Sequence, residues 1–377
     1  MLETQCVIIG AGVAGAATAY QLSRRGLRDI VILEQEEFAG YHSSGRGAAM
    51  IRQIVPDRET AALTREGARF LAGVGAEWAD PEIFRRRGSL LLSGAATRDQ
   101  LLGDVETARQ AGLDVELWEP SQVESRVEAT RGSTFECAAF TPSDGTVDAR
   151  RLLEGFLGEA QAAGVRVFYS HPVEKIRTDA SRRVTSVKAG NLEISTPRVI
   201  NAAGAWASRI GELAGASPVS LVPHRRHLLR STAVAKAELE RPVDPEWPFV
   251  WNLGDEAYFR PDAGGLLVCA CDHTRASPCD AQPEPDSRRP LEDKLGRVFP
   301  ALRGLEIERC WAGHRTFAAD ERFVVGPDPL VSGFYWVAGL GGHGVTTSAA
   351  VGALAAATIL DPERDGGNPF SPKRFRN

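Results

Sequence analysis

The first 34 residues constrain this chain more than any other stretch. An apolar run, Cys6-Val-Ile-Ile9, leads directly into Gly10-Ala-Gly12-Val13-Ala14-Gly15. An alanine-rich helical pattern follows from Ala16 to about Arg25, with Gly26 as its stop. A second apolar run, Ile30-Val-Ile-Leu33, then ends at Glu34. Short unbroken apolar runs suit central parallel strands, because both faces of such a sheet are covered. Strand, glycine turn, helix, strand and acid, at this spacing, make a dinucleotide-binding unit. Gly10 permits the tight turn. Gly12 lets the backbone approach a pyrophosphate, and Gly15 lets the helix pack on the strand. The helix N-terminus presents free N–H groups and a positive dipole end to the phosphates, with Val13 and Ala14 of the turn beside them. Glu34, followed by Gln35, can accept hydrogen bonds from a ribose 2′-OH, and a phosphate there would be repelled. NAD and FAD both fit this unit.

The rest of the composition narrows the class. The chain has 377 residues, long enough for two or three domains or one interrupted domain. With 43% hydrophobic and 25% charged residues it reads as a soluble globular protein, not a disordered, collagenous or coiled-coil one. A net charge of -5 gives no reason to expect nucleic acid or an anionic membrane as partner. No window holds 18 uninterrupted apolar residues, so no membrane span is expected, and Ala349 to Leu360 reads as a buried helix. The start lacks the basic and small-residue features of a signal peptide. The six cysteines show no zinc-ligand spacing, so no metal site is assigned. They read as buried or free thiols in a reducing compartment, which points to a cytoplasmic protein.

The segment after the second strand is Gly40-Tyr-His-Ser43-Ser44-Gly45-Arg46-Gly47-Ala48-Ala49. It can bring N–H groups, hydroxyls and one guanidinium to phosphate or flavin oxygens. Further along come Asp144-Gly-Thr-Val-Asp148 opening a helix, and His171-Pro-Val173 in a strand. Val199-Ile-Asn-Ala202-Ala203-Gly204-Ala-Trp206 and Trp311-Ala-Gly-His-Arg315 follow. Near the end stand Gly339-Leu-Gly341-Gly342-His343-Gly344-Val345-Thr346-Thr347-Ser348 and Asn368-Pro-Phe-Ser-Pro-Lys-Arg374-Phe. In this order the motifs resemble the D-amino-acid oxidase superfamily of FAD enzymes. The likeness is strongest to bacterial D-amino-acid dehydrogenases and to the glycine and sarcosine oxidases, and it covers nearly the whole chain.

The resemblance implies an α/β chain, α+β overall. A Rossmann-like FAD-binding domain would come from 1–85, 146–220 and 318–377. A second domain of mainly antiparallel sheet, from 86–145 and 221–317, would roof the flavin and bind substrate. Val173 would meet the adenine through its backbone. Ala202, Ala203 and Gly204, with Trp206 close by, would leave room at the flavin. Gly341 to Thr347 would pass under the ring as a helix start, its N–H groups facing the N1–C2=O edge. The family's covalent-flavin cysteine would fall near Gly313, three residues after Cys310, so non-covalent FAD is expected. Helical patterns stand at about 58–79, 97–111, 148–163 and 344–360. Strand-like runs stand at 89–93 and 264–268. The stretch 276–290, rich in proline and acid, reads as an exposed excursion.

An amino-acid substrate brings a carboxylate, whose natural partner is a buried arginine. By resemblance Arg315 is the first candidate, and Arg52 and Arg226 compete with it. Tyr258 could donate to the carboxylate, while Met50, His343 and Thr346 would line the pocket. Dehydrogenases for cationic D-amino acids carry a glutamate where this chain has Ser89 and a histidine where it has Met50, so D-arginine and D-lysine are disfavoured. Met50, Ile51, Ile54 and Val55 suggest an apolar wall for a hydrophobic side chain or N-substituent. The expected reaction is oxidation of the C–N bond of a neutral D-amino acid or N-substituted glycine. Hydride passes to flavin N5, the imine hydrolyses, and oxygen or another acceptor takes the electrons. The alternatives are an FAD-dependent 2-hydroxy-acid (2-hydroxyglutarate-type) enzyme with His343 as base, a colourless NAD-dependent dehydrogenase, and a non-catalytic flavin-binding relay.

Overall fold

The protein is described from a computed structural model, in which residues 2–231, 239 and 241–375 are described. Residues 232–238 and 240, within the expected 221–317 stretch, lie outside the described residues, as do 1, 376 and 377.

The two apolar runs at the start are adjacent parallel strands. Cys6–Ile9 pairs with Ile30–Leu33 on one side and with Val199–Asn201 on the other. Arg166–Phe168 and Phe334–Ala338 extend this sheet in parallel, and Val324–Pro327 closes it as an antiparallel edge. All four residues of the first strand are 5% exposed or less, which is why no polar alternation interrupts it. The helix Val13–Arg24 begins three residues before the alanine-rich pattern suggested, because extended Gly12 already acts as its N-cap. Gly26, at φ +95°, follows its end. Asp148 caps the helix Ala149–Ala162 by accepting from the Arg150 and Arg151 N–H groups at 3.0 Å. The apolar helix Gly344–Leu360 packs against Val13–Arg24. Among the described residues no helix is long and apolar enough to cross a membrane.

A second, nine-stranded sheet is antiparallel apart from one parallel pair, Phe249–Asn252 with Ser89–Ser93. Its longest pairing joins Leu221–Ser231 to Arg309–Ala318, in a register that sets His224 opposite Arg315 and Arg226 opposite Gly313. The mixed architecture matches the fold class expected from the motifs. The stretch 276–290 is less free than its composition suggested. Ala281 is buried, and a helix, Arg288–Val298, starts within it. Arg46 holds the stretch by donating to the Ala281 carbonyl at 2.8 Å and to Asp280 at 2.5 Å.

Candidate active site

Between the two sheets lies one elongated cavity of about 770 Å³. At one end the wall is backbone. Gly10 sits at φ +103°, and a Cβ there would lie 2.6 Å from the Ala202 carbonyl oxygen. A Cβ on Gly15 would lie 2.0 Å from the Gly10 carbonyl oxygen. Gly10, Gly12, Val13 and Ala14 therefore line the cavity, whereas Gly15 lies behind them and lets the helix seat. Glu34 and Gln35 line it too. One Glu34 oxygen accepts from the Ala11 N–H at 2.8 Å and the other from Glu36 at 3.0 Å. Burial, opposed by these bonds, pushes its carboxyl above the usual range.

The loop contributes Ser43, Ser44, Arg46, Gly47, Ala48 and Ala49. Ser44 Oγ accepts from the Val13 N–H at 3.1 Å, tying the loop to the helix start. Arg46 lines the cavity and is also bonded within the protein. Its nitrogens donate to the carbonyls of Tyr41, Ala281 and Ala312 and to Asp280, so the loop is stapled to the 276–290 stretch. Val173, the first residue of its strand, faces the same space, as do Ala202, Ala203, Gly204 and Trp206. From the far side come Gly341, Gly342, His343, Gly344, Val345 and Thr346. Thr347 is fully buried behind them, its hydroxyl donating to the His343 carbonyl.

The other end of the cavity is side chain. On the paired long strands, alternate residues Arg226, Leu228, Gly313, Arg315 and Phe317 face it. Arg315 donates to the Tyr258 hydroxyl at 3.2 Å and lies against Gly342. Tyr258 itself is fully buried behind the lining residues, and its hydroxyl holds Arg315 in place. Its ring packs at 4.7 Å on Trp251, whose other contact is the Arg52 guanidinium at 4.3 Å. Thr346 Oγ1 donates to the Met50 carbonyl at 3.2 Å and joins the helix start to this wall. The expected apolar wall is not there. Met50 and Arg52 face the cavity, while Ile51 and Ile54 pack into two separate buried clusters and Val55 is buried without lining it.

The three arginines named from the sequence thus meet in one place. Burial lowers Arg52 to about 10, which leaves it cationic at neutral pH. His343 is pushed down to about 3, first by burial and then by Arg52 and Arg315. Trp251, His42 and His314 also line the cavity and were absent from the sequence reading. His42, in the loop, and His314, on the strand Arg309–Ala318, stood inside quoted motifs. Nothing local marks Trp251, because its cationic partner is remote in the chain.

These features fit an adenine–flavin dinucleotide. At both helices that point their N-termini at the cavity the N-cap residue makes no side-chain cap bond, and Ser44 takes only the Val13 N–H of the first. His42 Nδ1 and His314 Nδ1 are buried without a partner. Gly10 packs so closely on the Ala202 carbonyl that only glycine fits, which keeps the turn that lines the cavity as bare backbone.

Comparison with known proteins agrees. A family model described as FAD dependent oxidoreductase matches residues 5–358. The chain is 27% identical to FAD-dependent oxidoreductase domain-containing protein 1 of Bos taurus, over 99% of this chain and 85% of that one. Its fold is similar to the crystal structure of L-proline dehydrogenase from P. horikoshii (TM-score 0.88, 23% identity, 99% and 98% of the two chains). It is also similar to glycine oxidase from Geobacillus kaustophilus (TM-score 0.82, 22% identity, full coverage of both).

Proposed function

Since the chain belongs to the DAO family of FAD-dependent oxidoreductases, we propose that it oxidises the C–N bond of an amino acid, either a D-amino acid or an N-substituted glycine. The observation that carries this reading is Arg315. It is oriented by Tyr258 and lies against Gly342 at the start of the Gly344–Leu360 helix, with Arg52 close enough to act on the same histidine. A guanidinium fork there binds a substrate carboxylate and thereby orients the adjacent Cα. The solved relatives named for proline and glycine act on amino acids as well, which supports the same class.

The residues divide the work. Glycine backbones and the two helix starts would hold the cofactor, with Glu34 and Val173 toward one end and Gly341 to Thr346 toward the other. FAD, when bound, accepts the two electrons and the hydrogen that leave the substrate. Arg315, with Arg52, fixes the carboxylate. The reacting amine must be neutral, because an ammonium has no lone pair to drive the bond change. Two cations facing the amine favour its neutral form. The long-strand sheet and the Trp251 face exclude water from the reacting centre. Residues 1–85, 146–220 and 318–377 on this reading serve the cofactor, and 86–145 and 221–317 the substrate. A cationic substrate fits poorly, since Ser89 is buried and donates to Asp144 instead of facing the cavity.

A 2-hydroxy acid needs a base for its hydroxyl, and His343, held near 3, is a weak one. The test is anaerobic titration of the yellow protein with amino acids and 2-hydroxy acids, followed by absorbance. Bleaching by an amino acid, retained within about tenfold in rate by His343→Asn, is the expected result. Bleaching by 2-hydroxy acids alone, abolished in that variant, would overturn the proposal.

A further inference from the structure

Several arginines around the substrate-side sheet have carboxylate partners. Arg46 pairs with Asp280, Arg225 with Glu284, Arg230 and Arg260 with Asp262. Arg52, Arg226 and Arg315 do not: among the described residues no carboxylate lies within ion-pair distance of them. Arg52 Nε and Arg226 Nε are buried and make no hydrogen bond, and Arg226 is only 7% exposed. Uncompensated buried guanidinium groups are costly, and one carboxylate accepts only two forks comfortably.

The acids nearby are already engaged. Asp144, behind Arg52, accepts from Ser89 at 2.7 Å and from Gln53 at 2.8 Å, and burial raises it to about 7. Asp272 is bonded to His227 through both oxygens. Glu256 and Glu321 line the cavity but are exposed. The Cys269 thiol, held below its ordinary value against burial by its hydrogen bond with Cys271 and then by Arg226 and Arg315, can cancel one charge and still leaves two.

The three cations line different parts of one wall. Arg52 and Arg315 lie near His343, while Arg315 and Arg226 share Cys269 and Cys271 as neighbours. Arg226 and Arg315 are diagonal neighbours on paired strands, a spacing of roughly 7 Å between side-chain origins. We propose that the substrate carries a second carboxylate, on its side chain or on its N-substituent, and that Arg226 is the residue that selects it. This rests on the C–N reading above and replaces the apolar wall that the sequence suggested with a cationic one.

The experiment compares matched pairs on the FAD-loaded enzyme with an artificial electron acceptor. The pairs are D-alanine against D-glutamate and N-methylglycine against N-(carboxymethyl)glycine. Lactate against 2-hydroxyglutarate gives the hydroxyl series. The dicarboxylate amine should lead in kcat/KM by about thirtyfold or more in at least one pair. Arg226→Gln should collapse that ratio toward one, and Arg226→Lys should restore part of it. As a second readout, the inert diacid glutarate should raise the Tm of the wild-type holoenzyme more than butyrate does. Equal rates within both amine pairs would overturn the second carboxylate and leave the C–N reading intact. So would a ratio that Arg226→Gln leaves unchanged while both substrates fall together, the mark of a purely structural arginine. Turnover of 2-hydroxyglutarate but of no amine would overturn the C–N reading and keep the second carboxylate.

Discussion

The two ends of the cavity are built on opposite principles. The cofactor end is backbone: glycines at close approaches, helix starts whose N-cap residues make no side-chain cap bond, and one buried glutamate tied to the turn. The substrate end is long side chains. Arg52, Arg226 and Arg315 are held by an aromatic face, a phenol and strand register. Backbone geometry tolerates almost no substitution but discriminates little among ligands. Side-chain walls can be retuned without disturbing the fold, so specificity belongs there.

The contrast breaks most visibly at Gly15. Gly15→Ala places a Cβ 2.0 Å from the Gly10 carbonyl oxygen, so both the turn and the helix must shift. Loss of bound flavin and destabilisation of roughly 3 kcal/mol are expected, read from absorbance at purification and from chemical unfolding. If that variant stayed yellow and stable, the backbone account of the cofactor end would fail. At the other end, Arg315→Ala should keep its flavin and unfolding midpoint yet lose about a hundredfold to a thousandfold in kcat/KM. Equal loss of flavin in both variants would erase the division between the two ends.

A gentler change sharpens it. Tyr258→Phe removes only the hydroxyl that Arg315 donates to, and should raise KM about tenfold with little change in flavin content. The smallest effect concerns Asp144, whose carboxyl is raised from 3.8 to about 7 by burial. The folded state therefore holds that proton where the unfolded chain has released it. Stability from this group is present below about pH 4 and is lost as pH rises toward 7. Asp144→Asn should flatten that part of the Tm-against-pH curve. An unchanged slope would mean that the carboxyl behind Arg52 is ionised throughout.

The same contrast explains what could be read early. Gly10 to Glu34 is a contiguous stretch in which each residue acts on a neighbour in sequence or one helix away, so spacing carries the information. The 344–360 helix and the strand at 89–93 were likewise visible as local patterns. The partners of Arg46 within the protein, Asp280 and Ala281, were not legible, because they are more than two hundred residues distant. The depth of Tyr258 was not legible either: its place behind Arg315 depends on how two strands pack. Ile51, Ile54 and Val55 share hydrophobicity with Met50, yet tertiary packing buries them away from the cavity that Met50 and Arg52 line.

The residue order alone established the dinucleotide turn, the strands and helices around it, and the set of arginines worth watching, since these follow from local periodicity and from residues close in the chain. The meeting of Arg52, Arg226 and Arg315 at one wall, the retreat of Tyr258 behind it and the depressed basicity of His343 arose on folding. Each depends on pairing register and on the desolvation of charges brought together from distant segments, and no spacing rule along a chain encodes either.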